Sequence, residues 1–143
     1  MPHAVAVSPE AQVGVAVLSG HVTGKAIVEA ARILHDRPEW APGFGEVWDF
    51  LGAREFDVSP EGMDLLVGYT RDSSDRIGPN RVAIVTDRDV VDILLHLYRA
   101  LTADLGRSYE SFATVEAAAL WLGVDAGLLQ RVHQEAAAGA AQA

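Results

Sequence analysis

The stretch Arg81–Leu101, RVAIVTDRDVVDILLHLYRAL, constrains the fold of this chain more than any other part of it. Val82, Ala83, Ile84 and Val85 form a short run without a polar side chain, the pattern of a strand covered on both faces. Thr86-Asp87-Arg88-Asp89 then breaks the run, and Val90, Ile93, Leu94, Leu97, Tyr98 and Leu101 recur at helical spacing. Thr86 is expected to cap this helix, with Asp89 favouring its amino end. Such a strand followed by a helix is the building unit of a parallel sheet.

The unit recurs. Strands are predicted over about residues 4–7 and 12–18, joined by Ser8-Pro9-Glu10-Ala11, a connection too short for a crossover and therefore a hairpin. Thr23 is the expected N-cap of a helix to about His35, with Ile27, Val28, Ala31 and Leu34 inward, and the Pro- and Gly-containing loop Asp36–Gly45 ends it. Glu46–Leu51 is the next strand, followed by a polar connection over Gly52–Val58. Ser59, Pro60 and Glu61 then form a helix start, and Met63, Leu66 and Tyr69 point inward before Gly78-Pro79 stops the segment. Its polar later half, Arg71–Arg76, is expected on the surface.

After the Arg81–Leu101 unit, Ser108–Phe112 is a short last strand. Thr114 caps a helix using Val115, Ala118, Ala119 and Leu122, and Asp125–His133 adds a further amphipathic turn or two. The expectation is one α/β domain of order ββαβαβαβα. Its sheet is mainly parallel, of four to five strands, with an antiparallel N-terminal edge strand and right-handed crossovers. The domain is placed at residues 1–134 and an Ala-rich C-terminal tail at 135–143.

Composition narrows the partners. The chain has 143 residues, half of them hydrophobic, enough for a real core. Its net charge of -9 repels phosphate backbones and anionic headgroups, and the arginines are scattered, so neither nucleic acid nor a membrane surface is expected. Cysteine is absent, which excludes disulfide and thiolate chemistry. No apolar run approaches a membrane span, and no secretory leader pattern opens the chain, so a cytoplasmic location is expected.

Most catalytic motifs fail. Gly20-His21-Val22-Thr23-Gly24-Lys25-Ala26 has one residue too few between its glycines for a phosphate loop, and Ala26 stands where a magnesium-binding hydroxyl is needed. The histidines (His3, His21, His35, His96, His133) show no metal-ligand spacing, so no metal or other cofactor is expected. No Gly-x-Ser-x-Gly nucleophile elbow occurs. In a parallel sheet the functional edge lies where strand carboxyl ends meet helix amino ends. That rim would gather Arg54, Asp57, Ser59, Glu61, Thr86, Asp87 and Arg88, most of them also capping residues. A ligand pocket is a second candidate, formed by Trp48, Asp49, His96 and Tyr98. Asp49 interrupts an apolar strand and must be paired or face an opening. His96 sits beside Tyr98 on a mostly apolar helix.

Over about residues 4–123 the chain resembles the SpoIIAA-like, or STAS-like, bacterial domains. The resemblance is carried by VLSGHVTGKAIVEAA, VWDFLGAREFDVSPEGM, RVAIVTD, LHLYRAL and, most specifically, SFATVEAAALWLG. It implies a mainly parallel sheet of four to five strands and a binding or regulatory role without catalysis. In anti-sigma factor antagonists of that superfamily a serine opening the helix after the central strand is phosphorylated, which makes Ser59 the candidate phosphosite. The segment Asp57-Val58-Ser59-Pro60-Glu61-Gly62 departs from the family's Asp-Ser-Ser/Thr-Gly pattern, and His96 stands where close relatives tend to carry arginine. Two roles follow: a regulatory module contacting a protein partner through the rim, or a carrier of a small apolar or lipid-like ligand, the latter because related folds bind lipids. A homodimer is also expected, since an open sheet has an apolar face or edge to cover.

Overall fold

A computed structural model describes residues 3–142. Five strands lie in the spatial order β1-β2-β3-β4-β5. They are β1 (His3–Ser8), β2 (Val13–Thr23), β3 (Gly45–Asp57), β4 (Arg81–Val85) and β5 (Ser108–Phe112). β1 is antiparallel to β2, and β2 through β5 are parallel. The mainly parallel α/β sheet with an antiparallel N-terminal edge is the predicted one.

Because the parallel strands advance in one direction, right-handed crossovers place their connecting helices on a single face. These are α1 (Gly24–His35), α2 (Pro60–Asp72) with the short α3 (Ser74–Ile77), and α4 (Asp89–Leu101). After β5 the chain turns to the opposite face with α5 (Val115–Leu122) and α6 (Ala126–Gln142). Strand alternation divides the side chains accordingly. Trp48, Phe50, Val82, Ile84 and Tyr109 enter the core under α1, α2 and α4. Val47, Ala83 and Val85 enter the other core, where Ala118, Ala119 and Ala136 allow α5 and α6 to approach closely.

Most predicted helix starts are present. Thr23 Oγ1 accepts from Ala26 N at 3.1 Å, Ser59 Oγ from Gly62 N at 3.0 Å and Thr114 Oγ1 from Ala117 N at 3.2 Å. Thr86 is different: α4 begins only at Asp89, and Thr86 Oγ1 accepts from Arg88 N at 3.1 Å to form a local turn. Asp49 Oδ1 is satisfied locally too, by Leu51 N at 2.8 Å.

Two further elements, β3 and α4, differ from the sequence reading. β3 continues through the expected connection to Asp57, because β2 extends alongside it and residues 19–23 pair with 52–57 across two register shifts. α6 passes through positions 134 and 135 without a break, and Ala136 is fully buried. The apolar stripe of α4 faces largely outward: Val90, Ile93, Leu97 and Leu101 are 40%, 67%, 47% and 42% exposed, while Val91 and Tyr98 make the buried contacts. The sheet beneath α4 lies about a quarter-turn around the helix from the densest apolar stripe, so periodicity marked an apolar face without marking the inner one.

α1 and α2 cross at their first turns through two glycines. A β-carbon on Gly24 would stand 2.6 Å from the Cα of Gly62, with backbone on the far side. Gly24→Ala is therefore expected to destabilise the protein by about 1–3 kcal/mol through overpacking. Gly68→Ala, in open space on α2, is expected to stabilise it by about 0.5–1 kcal/mol. Urea unfolding of the two variants checks both signs.

Candidate functional site

A cavity of about 80 Å³ lies between the sheet and the helices α1, α2 and α4. β3 and β4 supply Trp48, Phe50, Val82 and Ile84; α2 supplies Met63 and Leu66; α4 supplies Val91, Leu94 and Leu95. These residues follow from the alternation of strands and the inner positions of helices. α2 and α4 both contribute walls above the sheet.

One end of the cavity is polar, and its centre is Glu46 at the start of β3. Its side chain is 1% exposed. Oε1 accepts from Trp48 Nε1 at 2.9 Å, and Oε2 accepts from Arg107 Nη2 at 2.7 Å and Asn80 Nδ2 at 2.8 Å. Arg107, immediately before β5, also donates from Nε to Asn80 Oδ1 at 3.0 Å and from Nη1 to the Tyr98 hydroxyl at 3.1 Å. Tyr98 in turn bonds Thr70 Oγ1 at 2.6 Å, and that hydroxyl donates to Leu66 O at 2.9 Å. With Thr70 committed as donor, Tyr98 donates to Thr70 and accepts from Arg107.

His35, the last residue of α1, borders the same end. Tyr69 donates to Ala31 O at 3.2 Å, so the 2.8 Å contact between the Tyr69 hydroxyl and His35 Nδ1 has the ring nitrogen as donor. His35 Nε2 lies 3.3 Å from Glu46 Oε2 yet makes no hydrogen bond of its own.

Electrostatics fix the charge states. Burial alone would raise the Glu46 carboxyl, but the Arg107 charge, the adjacent His35 ring and the bond from Trp48 outweigh it and hold the group well below the ordinary carboxylate range. Burial likewise opposes the Arg107 charge, and Glu46 more than restores it. Burial pushes the Tyr69 phenol up to about 12 and raises that of Tyr109.

The sequence-derived pocket is thus divided. Trp48 and Tyr98 line the cavity. Asp49 points to the other face of the sheet and meets His133 Nε2 of α6 at 2.7 Å, as strand alternation requires for neighbours in β3. His96 is exposed on α4.

None of the rim residues lines the cavity. Arg54 and Asp57 lie on the extension of β3 and are exposed, as are Ser59, Glu61 and Asp87; Thr86 is buried and Arg88 half-buried. Asp57 Oδ2 meets His21 Nε2 at 3.4 Å, and Ser59 and Thr86 serve the local turns described above. The cavity's polar end sits instead at the amino ends of β3, β4 and β5. Sequence reasoning missed Glu46, Asn80 and Arg107 because 61 residues separate the two charges. The available signal was Glu46 itself, which shares a strand face with Trp48 and Phe50. Among the described residues, no group of three or more His, Cys, Asp or Glu side chains is placed to hold a metal ion, and no helix is long and apolar enough to cross a membrane.

The architecture is a SpoIIAA-like fold. It is similar to the crystal structure of an uncharacterized protein of the DUF3478 family from Shewanella loihica PV-4, described as having that fold. The match has a TM-score of 0.57 at 14% identity and covers 84% of this chain and 94% of the other. No family model matches the sequence, and no curated protein does.

Acid titration tests the polar end. The folded Glu46 carboxyl binds its proton only at lower pH than the unfolded one, whose ordinary value is 4.5, so the unfolded chain takes up more protons in between. The stabilisation is present in full above that value and is lost as pH falls below it. Glu46→Gln is expected to flatten the loss of stability between about pH 5 and pH 3 in urea-unfolding series; a slope equal to wild type contradicts the assignment. Arg107→Met, which strands the carboxylate, is expected to destabilise by about 3–5 kcal/mol at neutral pH.

Proposed function

We propose that this protein is a non-enzymatic binding module that holds a small apolar or lipid-like molecule between α2, α4 and the sheet. The observation that carries this reading is the cavity, walled by aromatic and aliphatic side chains and bounded at one end by the hydrogen-bonded Glu46, Arg107 and Asn80. Ligand sites generally combine an apolar lining with a few fixed polar groups. The rim supports a regulatory protein contact less well, because Ser59 and Thr86 are engaged in local turns.

A neutral fluorescent probe, N-phenyl-1-naphthylamine, is expected to brighten on binding the purified protein. Ile84→Phe, which fills the cavity from β4, is expected to weaken that binding at least about tenfold with the fold retained. Organic extraction followed by mass spectrometry is expected to release a co-purifying small molecule. Unchanged probe binding in Ile84→Phe, together with an empty extract, overturns the reading.

The exposed stripe on α4 supports a second role, contact with another copy of the chain. Val90, Ile93, Leu97 and Leu101 follow one helix face in water, an arrangement more typical of a covered surface. Light scattering on a sizing column is expected to give the dimer mass, reduced to the monomer mass by Leu97→Glu; a monomeric wild type excludes this role.

A further inference from the structure

We propose that the cavity selects an uncharged amphiphile, a hydrocarbon body carrying a hydroxyl or carbonyl group, and discriminates against carboxylate and ammonium ligands. This inference rests on the ligand-holding role proposed above and adds the chemical class of the ligand. Its basis is the way the charges at the polar end are spent. Glu46 and Arg107 are the oppositely charged pair on the lining, their side chains are 1% and 6% exposed, and they meet at 2.7 Å. Each carboxylate oxygen already accepts a hydrogen bond, and each guanidinium nitrogen already donates one.

An incoming carboxylate would compete with Glu46 for Arg107 and bring a second anion beside the first. An incoming ammonium would compete with Arg107 for Glu46. In either case a charge leaves water without a partner of its own, which an apolar enclosure penalises heavily. A hydroxyl or carbonyl brings no net charge and can take up remaining hydrogen-bonding capacity at this end: each terminal guanidinium nitrogen carries two N–H donors, of which the network described uses one. The geometry thus favours a neutral head near Arg107 and Tyr98, with the hydrocarbon lying against Ile84 and Leu94.

The test compares 1-octanol, octanoate and octylammonium, three probes that share one chain, by calorimetric titration of the full-length protein at about pH 7. Methyl NMR shifts of Ile84 and Leu94 locate the binding. Octanol is expected to bind at least about tenfold more tightly than either ion. Glu46→Gln, which leaves Arg107 without its counter-charge, is expected to move the preference toward octanoate; if that variant does not fold, the wild-type comparison decides alone. Octanoate or octylammonium binding as tightly as octanol, with Ile84 and Leu94 shifting, overturns the selectivity while the ligand-holding role stands. Absence of binding by all three overturns that role and the selectivity with it.

Discussion

The ion pair between Glu46 and Arg107 ties together strands whose charged residues lie 61 positions apart in sequence. A carboxylate placed in a closed core is tolerated only when its charge and both oxygens are met. Arg107, Asn80 and Trp48 meet them, drawing the amino ends of β3, β4 and β5 into one cluster. Tyr98 and Thr70 continue the chain of bonds into α4 and α2. Breaking one member exposes the others to the same desolvation penalty, so the network sets which helix positions can close on the sheet.

The two faces of the sheet are built to different ends. Under α5 and α6 the central strands present Val15, Val47, Ala83 and Val85, and Ala118, Ala119 and Ala136 permit tight contact. Under α1, α2 and α4 the strands present Trp48, Phe50, Ile84 and Tyr109. The cavity lies among these side chains and the helices above them. The Val90, Ile93, Leu97 and Leu101 stripe of α4 lies in water, turned away from the sheet. The proposed ligand in the cavity and the proposed second copy over the stripe would cover two separate apolar surfaces.

Local chemistry made much of this fold legible. The apolar run Val82–Val85, the hairpin at Ser8–Ala11 and the caps at Thr23, Ser59 and Thr114 each depend on neighbours within a few residues. Thr86 looked like another cap, but two competing turns can use the same hydroxyl, and the one ending at Arg88 prevails. The extension of β3 to Asp57 was hidden because its residues are polar; its pairing with β2 is a tertiary event. The candidate site was half legible. Trp48 and Tyr98 line the cavity, whereas Asp49 was grouped with Trp48 against the period of the strand. The pairing of Glu46 with Arg107 carries no spacing signal, since their meeting is created by strand order.

A crystal structure grown with 8-bromo-1-octanol is the most direct measurement of the central claim. The account predicts anomalous bromine density between α2 and α4 and the hydroxyl within hydrogen-bond distance of Arg107 or Tyr98, with the Glu46–Arg107 contact intact. Helices closed over a filled core, with no bromine density between them, would contradict it.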